Sequence, residues 1–346
     1  MLISAEFHNL STVPNEKLIF SPGINLIIGE NGLGKSHILK TIYALLKVQS
    51  GKDSELSKIS LEKAYANKLI AVMRPEYLGR LVKRRQGRDR CEIRLTLKNK
   101  AQNCAIGFAT ASKSQVEVIE VPTDSLALPP VFFPTRELVT LSPWFVSLYD
   151  NYHIEFEETW RDTVSLLGAP SLKGPRENTV GQLLAPLEKA MGGKIEVDAH
   201  SGRFYLKIPG EGRMEMPLVA EGLRKLAMLA RLISTGVLLE QGYLFWDEPE
   251  TNLNPKLIKT IAECIFELAK AGIQVFIATH SLFLLREIEI LQASSGKTKR
   301  PVRYFALNRN EEGIELTQAD SIHEVGDIVA LDESLAQSDR YLEMDE

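Results

Sequence analysis

The segment Ile24-Asn25-Leu26-Ile27-Ile28 runs directly into Gly29-Glu30-Asn31-Gly32-Leu33-Gly34-Lys35-Ser36, and no other stretch restricts the fold as strongly. A strand that is apolar at nearly every position is one buried on both faces, as parallel strands are. The glycines after it let the backbone curl so that successive N–H groups face one point. Apolar residues at helical spacing follow (Ile38, Leu39, Ile42, Leu45, Leu46), so the curl opens a helix whose positive end adds to the anion site. Strand, glycine loop and helix in that order make a phosphate-binding loop. Asn31, Gly32, Gly34, Lys35, Ser36 and His37 are its expected nucleotide contacts. Lys35 supplies a cation for the β- and γ-phosphates, and Ser36 a hydroxyl for Mg²⁺.

Two further strands are expected to end at the same sheet edge, where ligands of open α/β sheets bind. Tyr243-Leu244-Phe245-Trp246 ends in Asp247 and Glu248. Asp247 suits a Mg²⁺ holder, with Ser36 as the second metal-facing residue, and Glu248 suits a base that polarises water. Ile273-Gln274-Val275-Phe276-Ile277-Ala278-Thr279 then leads to His280, placed to sense the γ-phosphate. The predicted catalytic set is Glu248, His280 and Lys35, with ATP and Mg²⁺ as cofactors.

The order of phosphate loop, Asp-Glu-Pro-Glu and Thr-His-Ser resembles the ABC-type ATPase heads, in particular the SMC/RecF-like and OLD-like branch. The likeness covers Phe20 to Tyr43 and Tyr243 to Leu284, and residues 50–215 weakly. It implies an α/β P-loop NTPase fold with an antiparallel β subdomain and a helical insertion. It makes Asp247 the Walker B acid, Glu248 the base, His280 the switch histidine, and Asn252 and Asn254 part of the D-loop. It also implies a signature segment offered in trans to a second subunit's ATP. The matching stretch carries Glu221, Gly222, Arg224 and Lys225, with Ala220 where a serine is usual; the lesser alternative is that 219–235 is simply a packed amphipathic helix. Arg136 stands near the place of the Q-loop glutamine.

The resemblance implies a homodimer or higher homo-oligomer of ATPase heads that opens and closes with ATP. It suggests a sensor or regulator of a separate effector, a nuclease or toxin, in anti-phage defence. A DNA-repair ATPase and a transporter-type ATP-binding subunit are the alternatives. Too few residues follow His280 for a nuclease domain of its own. The run Lys83, Arg84, Arg85, Arg88, Arg90 reads either as a phosphate-backbone patch for nucleic acid or as a solvated loop.

The expected division is 1–50 and 216–318 for the ATPase core, 51–215 for an inserted β and helical lobe, and 319–346 for an acidic tail. Residues 50–68 read as a charged surface helix and 69–121 as antiparallel strands. The 212 residues from Lys35 to Asp247 lack the heptads of a long coiled coil. A net charge of −4 argues against a surface that is basic throughout. No apolar run approaches the roughly 20 residues that span a bilayer, no leader pattern opens the chain, and Cys91, Cys104 and Cys264 form no close pair. A cytoplasmic location without membrane contact is the expectation.

Overall fold

A computed structural model describes residues 1–50, 56–84, 87–152, 154–170, 177–198, 200–294, 301–311 and 313–344. Strands β1 (Leu2–His8) and β2 (Lys17–Ile19) pair antiparallel. β3 (Ile24–Gly29) follows and feeds the glycine loop and α1 (Lys35–Gln49). After α2 (Lys58–Met73), strands β4 (Arg90–Leu97), β5 (Cys104–Ala109) and β6 (Glu117–Glu120) return to β1 and complete a five-stranded sheet in the order β2-β1-β4-β5-β6. β7 (Pro130–Phe133) crosses to the central sheet. A lobe of α3 (Phe145–Asn151), α4 (Glu158–Leu167), α5 (Glu177–Met191) and the small sheet β8 (Lys194–Val197), β9 (Phe204–Ile208) and β10 (Gly212–Glu215) comes next. Then come α6 (Glu221–Ser234), β11 (Tyr243–Asp247), α7 (Pro255–Lys270), β12 (Gln274–Thr279) and α8 (Leu282–Ser294). β13 (Val302–Asn310), β14 (Gly313–Ala319) and α9 (Val329–Leu342) end the described chain.

The central sheet has the order β14-β13-β3-β12-β11-β7, parallel throughout except for the edge strand β14. Its inner strands are buried at every position of β11 and β12, which is why they read as unbroken apolar runs. Side chains alternate between two cores. Leu244, Trp246, Val275 and Ile277 join α6 and α7 on one face. Phe245, Phe276 and Ile27 join α1, α2 and the antiparallel sheet on the other. Phe245 and Phe276 stack across neighbouring strands, with ring centroids 4.7 Å apart and planes 13° from parallel.

Two expectations shift. The helix placed at 50–68 runs from Lys58 to Met73, with Leu61, Tyr65, Leu69 and Val72 buried at helical spacing. Ser57 Oγ caps it by accepting from the Ser60 N–H, and the strands predicted from 69 begin only at Arg90. Residues 51–55 lie outside the described set. The stretch 51–215 is also not one block. β4 pairs with β1 of the N-terminal segment, and β7 is an edge strand of the central sheet, so only 145–215 forms a lobe apart from the sheets.

That lobe is bound to the core by α5, whose Leu183, Leu187 and Met191 pack into the core with α6 and α7, and by α4. Its N-terminal end meets α1 and α2 through Lys40–Glu157 at 2.5 Å, Lys68–Glu158 at 2.7 Å, Lys68–Asp162 at 2.6 Å and the Tyr43 hydroxyl donating to Asp162 at 2.6 Å. At the other end the Arg231 guanidinium of α6 donates to the carbonyls of Leu167 and Ala169. Leu167 carries one of the orphan carbonyls of the α4 C-terminus and Ala169 follows just beyond its cap, a place where a cation is well satisfied.

Because Phe245 is fully buried in the centre of the sheet, Phe245→Ala is expected to lower unfolding free energy by about 3–5 kcal/mol, measured by chemical denaturation.

Candidate functional site

Register fixes the site. Asp247 pairs with Ala278, Ala278 with Ile27, and Thr279 with Ile28. The carboxyl ends of β3, β12 and β11 therefore reach one level, and the glycine loop, the two acids and His280 emerge side by side. Gly34 sits at φ 95° as the residue before α1, a left-handed conformation that suits glycine. A Cβ there would lie 3.1 Å from Thr12 Oγ1, so the loop is also closely packed. The Lys35 ammonium donates to the carbonyls of Gly29 at 2.7 Å and Glu30 at 2.8 Å, which holds it across the loop. Burial lowers its pKa, opposed by Glu248, Asp247, Glu250 and Glu30.

Ser36 Oγ donates to Asp247 Oδ1 at 3.0 Å, joining the first helix to the end of β11. Burial raises the Asp247 pKa, and the Ser36 hydrogen bond and Lys40 oppose the rise. A hydroxyl and a carboxylate facing one point are hard oxygen donors of the kind Mg²⁺ takes when phosphates and water complete its shell. Among the described residues no cluster of three or more His, Cys, Asp or Glu could hold a metal alone. The pair thus fits a cation brought with a nucleotide rather than one caged by protein.

Glu248 has φ 47°, unusual for a residue with a side chain, and its N–H donates to the Ala278 carbonyl at 2.9 Å. One carboxylate oxygen meets His280 Nδ1 at 3.2 Å, and the other accepts weakly from Thr251 Oγ1 at 3.4 Å. The predicted base and switch histidine are therefore in contact. Glu250, quoted in the sequence motif without a role, is a residue sequence reasoning missed. It is buried, accepts from Thr279 Oγ1 at 2.6 Å, and its pKa is raised chiefly by burial. Glu30, Asn31 and His280 also line a cavity of about 240 Å³ whose opposite wall is Asp327 to Ala330 at the start of α9.

The signature assignment needs correction at Lys225 and Arg224. Lys225, expected to face a partner's nucleotide, is 1% exposed, and its ammonium donates to the carbonyls of Glu248, Pro249 and Thr251 of its own chain. Arg224 pairs with Glu137 at 3.3 Å. Gly222 is buried, and a Cβ on it would lie 2.6 Å from the Asn252 carbonyl, so a side chain at 222 collides with the turn at Asn252 of the same chain. Asn254 caps α7 by accepting from the Leu257 N–H at 3.1 Å, a local role, while Asn252 holds a left-handed turn at φ 64°. At the start of α6 Ala220 is exposed and Glu221 half-buried, which leaves these two open to another chain.

Other predicted residues fall as follows. Asn31 and Gly32 are exposed at the loop tip. His37 has a half-buried ring whose Nδ1 has no hydrogen-bond partner, and burial, then Lys40, lowers its pKa, with Glu157 opposing. Arg136 is exposed beside Trp144, Trp160, Glu221 and Arg224, next to α6 and not among the residues gathered at the phosphate loop. In the basic run, the Arg90 guanidinium is committed to Glu92 at 2.9 Å and Glu117 at 2.6 Å, which corrects its assignment to a phosphate patch. Arg84 and Arg88 are exposed, Lys83 is half-buried, and Arg85 lies outside the described residues. Among the described residues no helix is long and apolar enough to cross a membrane.

Three strand ends bearing a glycine loop, an acidic pair and a histidine, beside an antiparallel sheet and a helical lobe, make an α/β fold with a P-loop at its sheet edge. Solved structures agree on the fold. The SmcHead bound to the C-winged helix domain of ScpA is 13% identical, with a TM-score of 0.54 over 92% of this chain and 97% of that one. An Smc head domain with an extended coiled coil, bound to the C-terminal domain of ScpA and derived from Pyrococcus furiosus, is 11% identical, with a TM-score of 0.55 over 98% and 99%. Residues 127–286 match the family model described as "AAA domain, putative AbiEii toxin, Type IV TA system". No curated protein sequence matches. Fold and family model together bear out the resemblance to SMC/RecF-like ATPase heads.

If Ser36 and Asp247 share a cation, Ser36→Ala is expected to weaken nucleotide binding about 10- to 100-fold with Mg²⁺ and far less with EDTA. Calorimetric titration in both buffers checks this.

Proposed function

We propose that this protein is a Mg²⁺-dependent ATPase of the ABC type that acts as an ATP-driven dimerisation switch. The observation that carries the reading is the pair of contacts at one sheet edge, Ser36 to Asp247 at 3.0 Å and Glu248 to His280 at 3.2 Å. The loop N–H groups and Lys35 bind phosphate oxygens. Ser36 and Asp247 hold Mg²⁺, which supplies charge neutralisation when bound. Glu248 orients and polarises water, and His280 steadies its carboxylate. Asn31, Gly32, Gly34 and the His37 backbone complete the nucleotide cradle.

A second head meets the first across the phosphate loop, bringing Ala220 and Glu221 with the α6 N-terminus toward the other nucleotide. The partners are then a homodimer or higher homo-oligomer and a separate effector, a nuclease or toxin, in a cytoplasmic anti-phage defence system. The family description, which names a toxin and a two-part system, supports a paired effector. A DNA-handling role of the SMC/RecF kind is the second reading, favoured by the exposed Arg84 and Arg88. A transporter subunit is the third.

Glu248→Gln is expected to bind ATP with near-normal affinity, to hydrolyse it at least about 100-fold more slowly, and to accumulate as a dimer in size-exclusion chromatography with ATP. Turnover at the wild-type rate removes Glu248 from the role of base. For the second reading, Arg84→Glu with Arg88→Glu is expected to abolish salt-sensitive binding of a fluorescent duplex DNA; absence of binding by the wild type excludes that reading.

A further inference from the structure

Lys225 is among the largest fully buried side chains in the molecule, and the proposed chemistry gives it no part. A lysine is almost never fully buried unless its charge is satisfied. Here the three donors of the ammonium face three acceptors on one short turn: Thr251 O at 2.8 Å, and Glu248 O and Pro249 O at 3.4 Å each. The carboxylates of Glu250, Glu221 and Glu248 add longer-range attraction. Nothing in this arrangement points toward solvent or toward a second chain.

The turn it holds is the one that aims Glu248. That residue has φ 47°, a conformation that persists only where surroundings impose it. Two local hydrogen bonds run along the turn, Thr251 N–H to Glu248 O at 3.2 Å and Leu253 N–H to Glu250 O at 3.0 Å. Further support comes from the end of β12, through the Glu248 N–H to Ala278 O at 2.9 Å and Thr279 Oγ1 to Glu250 at 2.6 Å, and, from the other side, from α6. Gly222, three residues before Lys225 and so on the same helix face, lies directly against the Asn252 carbonyl. One face of α6 therefore grips both ends of the turn, at 248–251 through Lys225 and at 252 through Gly222.

We infer that Lys225 is a positioning residue that fixes the Glu248 turn to α6, so that the orientation of the base depends on the position of that helix. α6 begins beside the exposed Leu218 and Ala220. Contact made there by a partner reaches Glu248 through Lys225 without touching the nucleotide of the same head. The kinetic half of this inference rests on the reading of Glu248 as base; the structural half does not.

Lys225→Met removes the ammonium at similar side-chain length. The expected pattern is a nucleotide Kd within about twofold of wild type, a single-turnover hydrolysis rate at least tenfold lower, and hydrogen exchange at least tenfold faster for the amides of 248 and 250–252 with those of 29–36 unchanged. Lys225→Arg, which keeps charge and donors, recovers more of the rate than Met does. If Met does not fold, Lys225→Gln is measured in the same way with the same expected pattern. Unchanged exchange at 248 and 250–252, or nucleotide affinity falling in step with rate, overturns the inference and leaves Lys225 a packing residue. If the wild type hydrolyses no ATP, the ATPase reading fails, and the exchange measurement alone decides whether Lys225 holds the turn.

Discussion

The hydrogen bond between Ser36 and Asp247 joins residues 211 positions apart, and the rest of the site depends on the register that permits it. β3, β12 and β11 are parallel and in step, so the loop after β3, the acids after β11 and the histidine after β12 reach one height. A slip of one residue in any of these strands would turn its inward side chains to the other face. The two cores prevent that slip. Phe245 and Phe276 are packed on one face, Trp246 and Ile277 on the other, and neither pair can exchange places without leaving a void. The chemistry at the edge is therefore located by aromatic packing well below it.

The edge itself gathers charges that water would otherwise solvate. Burial pulls the Lys35 and Lys225 ammoniums down, the latter to about 8, and pushes the Asp247 and Glu250 carboxyls up. The structure answers each with fixed dipoles: Gly29 and Glu30 carbonyls for Lys35, three carbonyls for Lys225, the Ser36 hydroxyl for Asp247, the Thr279 hydroxyl for Glu250. These partners cannot reorganise as water does, so the field at the site is set before any ligand arrives. The Glu250 match is incomplete, because Oε2 is buried with no partner. One unmet acceptor near two buried ammoniums adds negative potential that favours their charged forms.

The parts of this design that follow from local rules were legible in the sequence. Glycine spacing, strand-long apolar runs and acids at a strand end each have one physical meaning, and the loop, Asp247, Glu248 and His280 came together as read. What failed was the assignment of direction. Lys225 and Arg224 stand where cations could meet a partner's phosphate, but helix phase alone does not say whether a long side chain turns outward or folds onto a neighbouring turn. The outcome was set by the approach of 248–252, and only Gly222, a residue without a side chain at a close backbone contact, hinted at it. Arg90 failed for a similar reason: its partner Glu117 lies two strands away across the antiparallel sheet. Helix α2 was misplaced because its apolar residues lie around much of its circumference instead of along one stripe, and its ends carry few strong signals beyond Ser57.

Helix α6 then acquires a definite mechanical role. Near its start, Lys225 and Gly222 grip the turn that aims Glu248. Near its end, Arg231 holds the C-terminal carbonyls of α4. The opposite end of α4 is tied by Glu157 to Lys40, which lies one turn beyond Ser36 on α1. Helix α1, α4, α6 and the turn at 248–251 thus form a closed loop of elements joined by polar contacts. In such a loop no helix can rotate alone, since each carries groups whose burial unpaired is costly. Movement of the lobe at 145–215, whatever drives it, is coupled by these contacts to both the Ser36–Asp247 pair and Glu248.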